Sequence, residues 1–169
     1  SRELLVTVET NDVRTMDATN PATGELVETY DEATPSDIDD AIGRAQSAFE
    51  SWRDRPMRER EKLLSNAADV LRENKERYAS LMTEEMGKPI SQPRAEVENC
   101  AWGCEHYAEH ASAYLCDDHH PTPAGSSVKT SYDPLAAVLA VMPWNYPLWQ
   151  VFRFAAPSLT ATNVGLPKH

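Results

Sequence analysis

No stretch of this sequence approaches the roughly 20 apolar residues of a membrane-spanning helix, and Ser1 to Asn11 carry neither a basic segment nor an apolar run. The expectation is a cytoplasmic protein with no membrane partner. Cysteine is scarce and odd in number (Cys100, Cys104, Cys116), which argues against a disulfide framework. Lysine is scarce as well: Lys62, Lys75, Lys88, Lys129 and Lys168 complete the set, and 27 acidic against 16 basic residues leave a net charge of −11. The basic residues are interleaved with carboxylates, so no clustered face is available to release counterions from a polyanion, and no nucleic-acid partner is expected. The same acidic, lysine-poor composition is one that high salt selects. Internal repeats, low-complexity segments and a G-x-G-x-x-G fingerprint are all missing.

What is present is the composition of a folded chain, 41% hydrophobic and 25% charged, well clear of the disordered class. Residues 15–30 read as a strand pair around the turn Asn20-Pro21-Ala22-Thr23-Gly24. Thr34-Pro35-Ser36-Asp37 then supplies an N-cap, a proline at the first helical position and an acid three residues after the cap. Ile38, Ala41, Ile42, Ala45, Phe49 and Trp52 follow at helical spacing and must pack against something. A second helical stretch places Leu63, Leu64, Ala67, Val70 and Leu71 on one side, breaks near Asn74, resumes with Tyr78, Leu81, Met82 and Met86, and stops at Gly87 and Pro89. A third helix is predicted from about Pro93 to Leu115, with Val97, Ala101, Cys104, Ala108, Ala111 and Leu115 as its core face.

Cys116 to Gly125 reads as a loop and Ser126 to Tyr132 as an exposed strand. The run Leu135 to Met142 has the pattern of a strand buried on both faces of a parallel sheet. A helix from Leu148 to Ala161 and a short strand at Asn163 to Leu166 complete the opening of an α/β unit.

Chemistry concentrates in Met142-Pro143-Trp144-Asn145-Tyr146-Pro147, just past that apolar run. In open α/β sheets ligands lie outside the carboxyl ends of the strands, so a polar side chain here faces a crevice. The amide of Asn145, on a backbone stiffened by two prolines, can donate to an oxygen that gains charge in a transition state. On the residues alone, the favoured reading of Asn145 is an ordinary turn residue, since Asn and Pro both favour turns. His106, His110, His119 and His120 with the cysteines match no zinc-finger or zinc-ribbon spacing, and no metal site is assigned.

The segment from Met142 through Gln150, its continuation Phe152-Arg153-Phe154-Ala155-Ala156-Pro157, and Asn163-Val164-Gly165-Leu166-Pro167-Lys168 resemble the aldehyde dehydrogenase superfamily. Upstream, Asn20 to Glu25, the helix end Phe49 to Trp52, Glu84-Glu85-Met86-Gly87-Lys88-Pro89 and Asp133-Pro134-Leu135 fall in the family's order. Within the superfamily the likeness is strongest to the succinate-semialdehyde group. The resemblance implies an α/β fold: the N-terminal part of the aldehyde dehydrogenase fold, incomplete in these 169 residues. It comprises N-terminal strands and a helical layer over 1–125, an oligomerisation-type strand over 126–134, and the first strand-helix-strand of a Rossmann-like sheet over 135–169.

The resemblance also implies NAD or NADP as cofactor, a small aldehyde as substrate and a homo-oligomer. It assigns Asn145 to the oxyanion hole, Met142, Pro143 and Trp144 to the wall beside the nicotinamide ribose, and Lys168 to the adenosine ribose. The family's nucleophilic cysteine and general-base glutamate correspond to positions beyond residue 169, which leaves this chain inactive by itself; the alternative is a noncatalytic remnant that docks on full-length subunits or has no role. Two residues depart from the pattern. Phe154 stands where many relatives carry lysine, and Pro167 removes a ladder donor, which tells against a strand reaching Lys168.

Overall fold

The computed structural model describes residues 14–123 and 126–168. Strands β1 (Thr15–Thr19) and β2 (Leu26–Asp31) form an antiparallel hairpin, closed where Asn20 Oδ1 accepts from the amide of Ala22 and where Gly24 takes a positive φ of 76°. Helix α1 (Pro35–Trp52) starts at the expected capping box: Thr34 accepts from the amide of Asp37 while the Asp37 carboxylate accepts from that of Thr34. Helices α2 (Met57–Glu73) and α3 (Lys75–Met86) are separated at Asn74, and α3 ends on Gly87 in the left-handed conformation. Cγ of Pro21 lies 2.8 Å from where a Gly87 Cβ would sit, so the hairpin turn rests on that backbone.

Helix α4 (Ser91–Tyr114) is the central element, packing against α2, α3 and α5 (Pro147–Thr160). Its buried face includes the expected Val97, Ala101, Cys104 and Ala111, and adds Cys100 and Glu96. Ala108 and Leu115 are only half-buried. Val97, Cys100, Ala101 and Cys104 make one core with Leu64, Ala68 and Leu71 of α2, Met82 of α3 and Ala156 of α5. Leu64, Leu71 and Met82 contribute roughly 1.5–3 kcal/mol each by leaving water. Across one rim of this bundle Arg72 reaches Glu98 at 2.8 Å and both carboxylate oxygens of Glu105.

Four expectations are corrected. Residues 116–125 are not all loop: Asp118–His120 forms β3, which pairs antiparallel with β4 (Val128–Thr130). The apolar run yields β5 (Ala137–Val141), but Leu139 and Val141 are each 67% exposed. Burial on both faces needs a layer packed on each; β5 pairs with β6 (Val164–Lys168), and among the described residues helices α1 and α5 pack on this sheet while the face carrying Ala137, Leu139 and Val141 stays exposed. For the same reason the apolar face of α1 is largely bare, with Ile38 and Ile42 exposed and only Ala45 buried.

Pro167, finally, does not end β6. The amide of Val164 donates to Ala136 O and Lys168 O accepts from the amide of Met142. In a parallel ladder alternate residues bond to a given neighbour, so the nitrogen of Pro167 lies on the side away from β5 and no bond is lost there. The departure at Phe154 also has a place in the packing, because its ring meets Gly165 so closely that a Cβ there would approach it to 2.7 Å.

Two measurements follow from the core and its rim. Burial pushes the Cys100 thiol up to about 12 and Cys104 up to about 11, whereas Cys116 is exposed. Ellman's reagent at pH 8 should therefore react quickly with Cys116 alone, the other two thiols appearing only in denaturant; fast reaction of all three would refute the packing of α4. The hydrogen bonds from Arg72 hold the Glu98 and Glu105 carboxyls below their ordinary values. A depressed carboxylate adds stability above its unfolded pKa and loses it as pH falls through the folded one. Arg72→Met should thus cost roughly 1 kcal/mol at pH 7, discounted for partial exposure, and much less near pH 3, as read from urea midpoints.

Candidate active site

The carboxyl ends of β5 and β6 lie side by side in register, Val141 opposite Lys168, with the amide of Met142 donating to Lys168 O at 3.0 Å. The carboxyl ends of both strands therefore share one edge of the sheet, the side on which open α/β sheets bind ligands. Pro143, Trp144, Asn145 and Tyr146 make an exposed turn beyond it, and Pro147 begins α5.

The start of α5 is where the turn is held. Pro147 has no N–H, and Tyr146, at the cap position, offers no side-chain bond, so the next two amides would be orphans. Both are satisfied from another helix: Glu96 Oε1 accepts from Leu148 N at 3.0 Å and from Trp149 N at 3.1 Å. Glu96 Oε2 accepts from Lys88 Nζ at 3.0 Å, and that ammonium also lies 4.0 Å from the centroid of the Tyr146 ring. Glu96 is only 3% exposed. A buried carboxylate is costly unless paired and hydrogen-bonded, and here three donors meet it.

On one side of the turn, Asn145, Tyr146, Trp149, Gln150 and Arg153 face Gln92, Ala95, Glu96 and Asn99 of α4 across a cleft of about 600 Å³. Its charged lining residues are Glu96, already paired with Lys88, and Arg153, which is exposed. The cleft is thus suited to an anion beside an amide donor. On the other side a more apolar cavity of about 740 Å³ lies between the β1–β2 hairpin, α3 and α5, lined by Met16, Tyr30, Met82, Trp144 and Leu148 among others.

The sequence-assigned residues Met142, Pro143, Trp144, Asn145 and Lys168 are brought to one edge of the sheet, but Trp144 and Asn145 line different cavities. None of the cysteines lines the Asn145 cleft, and the raised thiols of Cys100 and Cys104 are poor nucleophiles. His106 and His110 stack on each other at 4.6 Å, and His120 shares a hydrogen bond with Thr130. Among the described residues no three His, Cys, Asp or Glu side chains gather as a metal-ligand set.

Sequence reasoning missed Glu96 and Arg153. Each left a signal. Glu96 precedes Val97 and falls one turn before Cys100 and two before Cys104, an acid at a core position of its helix. Arg153 follows Tyr146, Trp149 and Gln150 at helical spacing and so shares their face.

The profile of the aldehyde dehydrogenase family matches residues 7–168. A protein of Synechocystis sp. named probable succinate-semialdehyde dehydrogenase, NADP(+), is 48% identical over 150 residues, covering 89% of this chain and 33% of that protein. The succinate-semialdehyde dehydrogenase, NADP(+), of Mycobacterium leprae is 45% identical over 152 residues, with the same coverage. The chain thus spans about a third of the length of the curated relatives it matches. The crystal structure of succinic semialdehyde dehydrogenase from Streptococcus pyogenes in complex with NADP+ superimposes with a TM-score of 0.86 at 31% identity, over 90% of this chain and 34% of that one. With the family profile spanning nearly all of its residues and the same fold in a solved member, this chain belongs to the aldehyde dehydrogenase family.

Proposed function

We propose that this chain forms the oxyanion-donor side and part of the cofactor crevice of an NADP-dependent dehydrogenase that oxidises succinate semialdehyde, or a similar small aldehyde bearing a carboxylate, to the acid. The observation that carries this reading is the cleft shared by Asn145, in the turn that follows β5, and Arg153 of α5. The relatives named above are succinate-semialdehyde dehydrogenases with NADP(+) in their names, which supports both the substrate class and the cofactor.

Each residue then has a physical task. The Asn145 amide donates to the aldehyde oxygen as negative charge develops on it, a donor worth about 10²–10³ in rate when removed. The Arg153 guanidinium pairs with the substrate's distal carboxylate in a planar, two-pronged contact that lysine would not reproduce. Lys168, exposed at the end of β6, and the Met142 to Trp144 turn beside it fit the ribose hydroxyls of a dinucleotide. NADP, when bound, supplies the hydride acceptor. The nucleophile and the general base come from outside these 169 residues, since the thiols here are buried or remote from the cleft.

The β3–β4 hairpin, with Val128 and the nearby Tyr132 about half exposed, suits the interface role given to residues 126–134 in a homo-oligomer. The three free thiols accord with a cytoplasmic setting.

The test joins this chain to the remaining two thirds of the Synechocystis relative and assays NADP-dependent oxidation. Asn145→Ala should lower kcat about 10²–10³-fold with little change in the KM for aldehyde. Arg153→Gln should raise the KM for succinate semialdehyde by roughly tenfold or more while sparing an uncharged aldehyde of equal length. The 169-residue chain alone should show no turnover at low or multimolar salt. Turnover by the chain alone, or an Asn145→Ala enzyme as fast as the parent, would refute this assignment.

A further inference from the structure

Between the crevice and the helical core lies one buried ionisable group that the reaction itself does not use. Glu96 sits on α4, yet its carboxylate is spent on α5: Oε1 accepts from the amides of Leu148 and Trp149, and Oε2 pairs with Lys88. Those two amides are the second and third of α5, two of the four that a helix cannot satisfy internally. Caps of this kind are usually built by the residue just before the helix. Here that residue is Tyr146, which makes no side-chain cap bond, and the helix begins on a proline. The negative charge also lies at the positive end of the α5 dipole.

From this geometry we infer that Glu96 is a positioning residue for Asn145. Only Tyr146 and Pro147 separate the Asn145 backbone from the amides that Glu96 grips, and proline removes one of the torsions between them. Lys88 secures the same span from the other side by lying against the Tyr146 ring. A carboxylate on α4 thereby sets where the turn leaves the sheet edge and where its amide meets the cleft. The contribution to catalysis rests on the reading of Asn145 proposed above, but the placement itself can be measured without turnover.

The measurement is amide hydrogen exchange by NMR on the 169-residue chain, with the Asn145 side-chain NH₂ resonances as a second signal. Arg58 is the internal reference: it occupies the equivalent second position of α2, whose cap residue Pro56 makes no side-chain bond. In the parent chain Leu148 and Trp149 should exchange roughly tenfold or more slowly relative to their intrinsic rates than Arg58. Glu96→Gln keeps a carbonyl acceptor and should retain most of that protection and the Asn145 shifts. Glu96→Leu should lose the protection at Leu148 and Trp149 and move the Asn145 resonances, while Leu64 and Leu71 in α2 keep theirs.

Leu148 and Trp149 exchanging as fast as Arg58 in the parent would overturn the inference, and that comparison stands even where the leucine variant fails to fold. A glutamine variant as unprotected as the leucine one, or a loss spread evenly over α2 and α4, would also overturn it, since either would make Glu96 a general stabiliser. Because no aldehyde or cofactor enters the experiment, the capping role can fail while the dehydrogenase reading stands, and the reverse.

Discussion

The site hangs on one buried carboxylate. Glu96 is the point at which the helical layer grips the first crossover of the parallel sheet: three donors from two segments converge on it, and without them the amino end of α5 would carry unsatisfied amides against the core. The charge is tolerable because it is fully engaged, and it is useful because a buried ion pair has few alternative geometries. Trp149, one of the residues it holds, packs at ordinary van der Waals distance from the position a Gly103 Cβ would occupy, so helices α4 and α5 are also close at the next contact along.

Around that contact the distribution of apolar surface is uneven. The bundle of α2, α3, α4 and α5 encloses fully buried residues such as Ala68, Val97, Cys100 and Cys104, with small side chains where helices approach. The sheet side is different. Leu135, Leu139 and Val141 are exposed, as are Ile38 and Ile42, and the cavity beside Trp144 is lined largely by apolar side chains. Such surface is ordinarily covered, because leaving it in water forfeits about 25 cal/mol for each Å². In relatives about three times as long, the additional chain offers material to cover it.

Polar contacts supply alignment more than net stability. The Trp52 indole donates to Leu159 O at 2.9 Å and joins the end of α1 to that of α5. Asn163 Oδ1 accepts from the amide of Leu135 at 2.6 Å, tying the approaches to the two strands together just where Ala136 and Thr162 adopt positive φ. Left-handed backbone at two non-glycine residues is costly, and a side-chain amide bonding across the pair is one way such geometry is held. The strands thus start from a constrained corner and end at the open edge that carries Met142 and Lys168.

Much of this architecture was legible in the residues themselves. The Thr34 capping box, the stop at Gly87, the break at Asn74 and the helical face through Val97, Ala101 and Cys104 are local or periodic signals, and local chemistry is what a linear sequence records directly. The Pro-Trp-Asn segment stands out by its place after an apolar run, and its Asn145 lines a cleft against α4. Tertiary structure alone decided the rest. It turned an apolar run into a strand exposed on one face, because burial depends on neighbours the run does not contain. It paired Asp118–His120 with Val128–Thr130, because pairing across eight residues leaves no periodic trace in a three-residue strand. It also brought Glu96 to Leu148 and Trp149, more than fifty residues away, because which amide a buried acid will serve depends on how two helices cross and on nothing written beside either of them.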